Sequence, residues 1–356
     1  MTALATLTAT RPASRAGPGS RIIGVVVVLI LWELAARGLH GSYMLAGPSQ
    51  VGRYLWQNAG LVGRALAVTL REAGLGFVFG NLAAVAMAAV AVLLPRSERL
   101  ISALALLCFC LPLVATGPIL RVLYGPGAGP QITLAALAVY YTTYLPLLVG
   151  LKAAPAAWFD LVRSYGRGRL TELVQVRGPA ALPYLIAGLQ IAAPAAFLGA
   201  MVGEFTGAER GMGVLAIQAM RGLDISATWA LATVAAGVSV LVYAVIGSIG
   251  RWLQVAPPPL ILAAVMPRLP RSAGAVVMAR IGLGALILAT VLAIWTGAMA
   301  WFDLNPFFAK RPADVWAFLV TAPEAAANRA TLAAALTATL GFAVPGYVAG
   351  DRKSVV

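Results

Sequence analysis

Six ionisable side chains, Asp160, Arg163, Arg167, Arg169, Glu172 and Arg177, gather in the stretch Asp160–Pro183, DLVRSYGRGRLTELVQVRGPAALP, between two long apolar runs. That much charge is too costly to hold in hydrocarbon, so the stretch must lie at a membrane face, where a soluble molecule can touch it. Such a segment transmits force only if it is short and rigidly anchored. Gly166 permits a close turn, and Pro179 and Pro183 are expected to stop the helix where the next apolar run enters. A second polar group, Glu204, Glu209, Arg210, Arg221 and Asp224, separates two later apolar runs and reads as a loop on the other face. Glu204 stands at the end of its run, where water is expected to be available.

Other chemistry is excluded by spacing. Cys108 and Cys110 form a CxC inside an apolar run with no His or further Cys, which is no metal site, so they read as packing residues. The single histidine, His40, lies just past the first apolar run and reads as solvated. A phosphate-binding P-loop needs Gly-Lys-Ser/Thr, yet Lys occurs only at 152, 310 and 353 and never follows Gly. Gly125, Gly127 and Gly129 read as an irregular turn, since no strand precedes them. An enzyme embedded in a membrane would need Asp, Glu, His or Cys clustered at depth, and none is evident.

The elements that hold these residues are set by composition. Of 356 residues 61% are hydrophobic and 11% charged, with a mean hydropathy of +0.88, far from the balance of soluble domains. The pattern predicts an all-α polytopic membrane protein, because unbroken runs such as Leu82–Leu94 do not fit alternating barrel strands. The net charge of +14 does not signal nucleic acid, since the bases border apolar runs instead of forming an aromatic-bearing soluble face. Arg96, Arg99, Lys152, the four arginines of the polar stretch, Arg251, Arg268 and Arg271 all fall on one side if the N-terminus is cytoplasmic, as the positive-inside bias requires.

In chain order, residues 1–21 read as a disordered cytoplasmic tail and Ile22–Ala36 as a retained first span. Leu39–Arg64 reads as an outer loop with a short amphipathic helix, and Ala65–Leu94 as span two. Leu100–Ala115 is span three, Thr116–Pro130 an irregular link, and Ile132–Leu151 span four. Span five covers about Tyr184–Val202 and span six Trp229–Ile249, with 251–278 as a cytoplasmic linker.

After that linker the text repeats. Leu31-Trp32 recurs as Ile294-Trp295, and Ala46–Leu55 answers Ala309–Leu319 with one residue inserted. Ala65–Gly80 then matches Ala335–Gly350 at Ala, Leu, Thr, Leu, Ala, Gly, Val and Gly. Residues 22–250 are therefore expected to form one domain and 279–350 the start of a second. Residues 351–356, DRKSVV, read as the translation of a sequencing-adapter string and are expected to be an artefact.

The polar stretch resembles the signature loop of binding-protein-dependent ABC importer permeases, in which Glu-Ala-Ala is followed by Gly, Ile and Leu-Pro at fixed spacing. Asp160-Leu161-Val162 stands for the first three, Gly166 for the Gly, Val176 for the Ile and Gly178-Pro179 for the last pair. Ala181–Tyr184, Gly188–Ala192, Gly203-Glu204-Phe205, Gly211-Met212-Gly213, Leu111-Pro112 and Tyr124-Gly125 resemble the taurine, nitrate and alkanesulfonate branch. The resemblance implies a type I importer domain of about six helices, with two helices of an incomplete second copy.

It also implies that Asp160, Ser164, Tyr165, Gly166, Arg167, Arg169, Leu170, Val176 and Pro179 form the loop that couples to an ATPase dimer at the cytoplasmic face. ATP would be bound by that partner, and this chain would carry no cofactor. A solute-binding protein would meet the outer loop, where Glu204, Gly211 and Gly213 take a structural or binding-protein-facing role ahead of direct substrate contact. A second permease domain, fused or supplied by dimerisation, would complete the path through a bacterial inner membrane. The substrate stays open between sulfonates, taurine, nitrate and vitamin or pyrimidine precursors. The alternative is an ion-coupled secondary transporter, which would place ionisable residues inside its spans.

Overall fold

The structure is a computed structural model that describes residues 18–39, 44–253, 273–301 and 310–351. His40, most of the expected tail and linker, and residues 352–356 lie outside the described residues. Every described element is helical. Helix α1 (Pro18–Gly38) leads to the short α2 (Pro48–Gln57) and the long α3 (Ala59–Leu93). Next come α4 (Glu98–Phe109), α5 (Leu113–Tyr124) and α6 (Gly129–Lys152). The polar stretch holds α7 (Ala156–Ser164) and α8 (Arg169–Thr171), followed by a π-helical turn, Glu172–Arg177, and α9 (Gly178–Phe205). The rest is α10 (Met212–Arg221), α11 (Ile225–Trp252), α12 (Ala273–Trp301), α13 (Pro312–Trp316) and α14 (Ala325–Asp351).

Among the described residues six helices are long and apolar enough to cross a membrane: α3, α6, the run from α8 through α9, α11, α12 and α14. Helices α4 and α5 would make a seventh span, bent by 91° at their junction.

The core is built where α3, α6 and α9 meet. In lipid, helices gain little from apolar contact alone, so they associate through small residues that let backbones approach. A Cβ on Gly76 of α3 would stand 2.3 Å from the Ala135 Cβ and 2.8 Å from the Ile132 carbonyl of α6. One on Gly203 of α9 would stand 2.7 Å from the Gln131 Cα. Ala84, Ala88, Leu134, Val139, Ala192, Ala196 and Ala200 fill the seams. A buried polar pair bridges α3 and α6, where Thr143 Oγ1 donates to Asn81 Oδ1 at 2.6 Å, and the Tyr144 hydroxyl of α6 meets that of Ser102 on α4 at 2.8 Å.

Two expectations change. Thr116–Pro130 is not an irregular link throughout, because α5 runs to Tyr124 and only Gly125–Ala128 is a turn. Pro118 sits inside α5 beyond its first turn, where it has no N–H to offer the Val114 carbonyl. Nor do Pro179 and Pro183 stop a helix. The chain is continuous from Arg169 to Phe205, and the wider π turn ahead of Pro179 carries an i→i−5 bond, Gly178 N to Leu173 O, which makes room for the ring.

The two ends of the chain share a local geometry. Trp32 Nε1 donates to the Ala46 carbonyl at 3.0 Å, two residues before Pro48, the first residue of α2. Trp295 Nε1 donates to the Lys310 carbonyl at 3.2 Å, two residues before Pro312, the first residue of α13. In each short helix the third residue's side chain caps the start: Gln50 Oε1 accepts from Gly47 N at 3.3 Å and Asp314 Oδ2 from Arg311 N at 2.8 Å. Whereas α3 is half enclosed by α6 and α9, the faces of α14 are exposed.

Candidate functional site

Two clusters occupy opposite ends of α9. At its start, the polar stretch forms an elbow. Helix α7 ends in a tight turn at Gly166, whose φ of +69° is a left-handed conformation that a side chain would oppose. Gly166 N donates to Arg163 O at 2.8 Å and Arg167 N to Val162 O at 3.2 Å. The chain returns through α8, and Arg163 Nε bonds Glu172 Oε1 at 2.8 Å, closing the elbow on itself. Glu172 is 4% exposed, while the Arg163 side chain is in solvent. This bond to the carboxylate raises the Arg163 guanidinium above its ordinary pKa, so it stays charged at any working pH.

The elbow is tied to the helix bundle at two points. Arg169 Nη1 donates to Leu93 O at the end of α3 (3.4 Å), and Arg177 Nη1 to Leu151 O near the end of α6 (2.9 Å). The Arg177 guanidinium also lies 4.4 Å from the Phe159 ring centroid. Beside it Lys152 and Glu98 pair at 2.5 Å. What is left outward is apolar as well as charged: Trp158, Leu161, Tyr165, Leu170 and Val174 are all exposed.

Of the residues expected here, Asp160, Ser164, Tyr165, Gly166, Arg167, Arg169, Leu170 and Pro179 are exposed together, but Val176 is buried and supports the elbow from within. The spacing of the motif did not reveal the brace from Glu172, whose signal was a carboxylate nine residues after an arginine in an otherwise basic segment.

At the far end of α9, Glu204 is not in water as its position suggested. It is 1% exposed. Thr69 of α3 donates through Oγ1 to Glu204 Oε1 at 2.5 Å and accepts from Met212 N at 2.8 Å, and Gly213 N donates to Glu204 Oε2. The loop after α9 thus folds back over the carboxylate and presents the first backbone N–H groups of α10 to it, where a negative group is favoured.

Gly211 and Gly213 are brought against Glu204. Gly211 has φ +135°, and a Cβ on it would meet the Glu204 carboxyl at 2.2 Å; one on Gly213 would meet Met201 O at 2.5 Å. Sequence reasoning missed Thr69 and Glu72, both on α3 and both buried. Their signal was the polar cluster Thr69-Leu70-Arg71-Glu72 inside a long apolar run.

With both ends described, comparisons with known proteins become informative. Residues 66–256 match the family described as binding-protein-dependent transport system inner membrane component. A Haemophilus influenzae protein named as an ABC transporter permease is 32% identical over 224 residues, 62% of this chain and 90% of the relative. The formylaminopyrimidine transport permease protein ThiX of Halalkalibacterium halodurans is 25% identical over 200 residues, covering 56% and 80%. SsuC of Escherichia coli, named as an aliphatic sulfonates transport permease, is 25% identical over 238 residues, covering 66% and 86%.

Proposed function

The chain belongs to the family of binding-protein-dependent transport inner membrane components, and from that premise we propose how its parts divide the work. It is the permease subunit of an ABC importer, a multi-pass inner-membrane component that is not itself an enzyme. Members of this family work with an ATPase and a solute-binding protein.

In our reading the elbow of α7 and α8 lies in the cytoplasm and is the part the ATPase subunits grip. One observation carries it: exposed Trp158, Leu161, Tyr165 and Leu170 are held on a turn that Arg163–Glu172 closes on itself and that Arg169–Leu93 and Arg177–Leu151 tie to the ends of two spans. An exposed apolar patch on a braced support suits a docking surface. Val176 and Pro179 set its shape. The N-terminus is then cytoplasmic, and Glu204, Gly211 and Gly213 shape the face offered to the solute-binding protein.

We read residues 22–250 as one permease domain and 279–350 as the beginning of a second in the same chain. The matching Trp-to-carbonyl bonds and caps of α2 and α13 support this, as does the recurrence of the α3 pattern in α14. The substrate falls among the small solutes that relatives are named for, such as aliphatic sulfonates or formylaminopyrimidine.

The test is a single cysteine at Arg167 in inverted and right-side-out vesicles, combined with gentle purification. Labelling only in inverted vesicles and recovery of a nucleotide-hydrolysing partner are expected. Labelling from the outside, or uptake driven by an ion gradient with no ATPase present, would reject the assignment.

A further inference from the structure

Glu33 and Arg37, one turn apart near the end of α1, belong neither to the elbow nor to the cluster around Glu204. The Glu33 carboxylate is already committed. Its Oε1 accepts from Arg37 Nε at 3.0 Å and Ser49 Oγ at 2.9 Å, and its Oε2 accepts from Ser49 N at 3.1 Å at the start of α2. Together with Gln50 and Arg53 of α2 these residues wall a cavity of about 360 Å³, at the small end of ligand pockets. Among the described residues neither Arg53 nor the two Nη groups of Arg37 make a hydrogen bond or an ion pair. One committed carboxylate against two guanidinium groups leaves the cavity with a positive charge in excess and with donors to spare.

These charges are not what shapes this corner of the fold. Around α12 and α13 the same Trp-to-carbonyl bond and the same cap form, yet Thr296, Ala300, Ala313 and Ala317 stand where the first half has Glu33, Arg37, Ser49 and Arg53. The depth of the cavity says what its donors can meet. Ile30, Leu31 and Leu34, on the turns of α1 that lead up to Arg37, are apolar and exposed, as surface against lipid is. Trp56, one turn beyond Arg53 on the same face of α2, is also exposed, and tryptophan marks the level of the headgroups. Two spare arginines at that level, with apolar surface directly below, match an amphiphile whose negative charge is fixed to acyl chains.

We propose that this cavity holds the phosphodiester of an anionic glycerophospholipid, whose free oxygens accept from Arg37 and Arg53 while its chains lie along Ile30 and Leu34. Inorganic phosphate shares the oxyanion but has no chains to lay on α1. A headgroup that adds an ammonium finds no acceptor, because Glu33 is taken, and sets a positive charge beside two arginines.

The full chain is reconstituted in nanodiscs containing equal parts of phosphatidylglycerol and phosphatidylcholine and exchanged into mild detergent, and the lipid retained longest is identified by native mass spectrometry. Phosphatidylglycerol is expected to be preferred, and Arg53→Gln to lower that preference about fivefold, as one arginine at a headgroup is worth. Arg37→Gln together with Arg53→Gln is expected to lower it further. Arg53 is exposed and its substitution breaks no bond among the described residues, so the single variant keeps the test decisive if the double variant does not accumulate. Arg64→Gln removes an equally exposed arginine from α3 outside the cavity, and should leave the preference unchanged. In a second arm, inorganic phosphate titrated calorimetrically into the chain in phosphatidylcholine nanodiscs is expected to show no saturable binding. Equal retention of the two lipids, a preference that survives Arg53→Gln or falls as far in Arg64→Gln, or saturable binding of inorganic phosphate that Arg53→Gln abolishes would overturn the assignment.

Discussion

Thr69 and Glu204, 135 residues apart, meet at 2.5 Å, and the same threonine oxygen accepts from the Met212 amide at 2.8 Å. One hydroxyl therefore joins α3, the end of α9 and the start of α10. Thr69→Val keeps the shape while removing the donor and the acceptor. Leaving a buried carboxylate and an amide short of partners costs about 1–3 kcal/mol for each group. Thermal unfolding of the purified chain is expected to fall clearly for Thr69→Val and much less for Thr69→Ser.

Gly211→Ala tests the fold-back over Glu204. Its φ of +135° is a conformation that side chains oppose, at about 1–3 kcal/mol, and the added methyl would run into the carboxyl. Poor accumulation in the membrane, or a lowered unfolding temperature, is the expected outcome. Gly207→Ala is the control for loop strain alone, since its φ is +117° but its Cβ position has only Arg121 Nε within 4 Å, at an ordinary contact distance of 3.9 Å.

The elbow predicts a separation of stability from function. Leu161→Asp and Tyr165→Ala alter exposed side chains, so unfolding should change by no more than about 0.5 kcal/mol. Recovery of the ATPase partner and ATP-driven uptake should fall at least tenfold. Arg163→Ala removes a brace whose arginine is in solvent and leaves the buried Glu172 carboxylate without that partner, so the unfolding temperature should fall while uptake declines less.

The two copies of the helix pattern predict an asymmetry. Gly76→Val forces a side chain into α6 and should destabilise by about 1–3 kcal/mol, as overpacking does. Gly346→Val stands at the corresponding place in α14, where nothing lies within 4 Å, and should leave unfolding of this chain unchanged.

Spans two, four, five and six and the polar stretch were legible because lipid leaves few options: apolar length marks a helix, and a dense run of charge marks its exit. Leu100–Ala115, read as one span, is instead broken between α4 and α5, which meet at 91°. Glu204 was misread because local text ends an apolar run there and begins a polar one. What buries it is Thr69, reached only through the tertiary fold, together with a Gly-Met-Gly turn whose geometry is a matter of φ and not of polarity. Helix α5 was missed for the opposite reason, since Gly117, Pro118 and the glycines from 125 to 129 look like a loop. Gly117 instead lets α5 approach Thr206, where a Cβ would lie 2.3 Å from the threonine methyl.

The unbroken run from Arg169 to Phe205 gives the molecule a lever. At 1.5 Å per residue its 37 residues are about 55 Å long, with the elbow on the short arm and the Thr69–Glu204 latch at the far tip. In the division of work proposed above, a displacement of the elbow would reach the other end of the run along one helix, because both places belong to the same continuous segment.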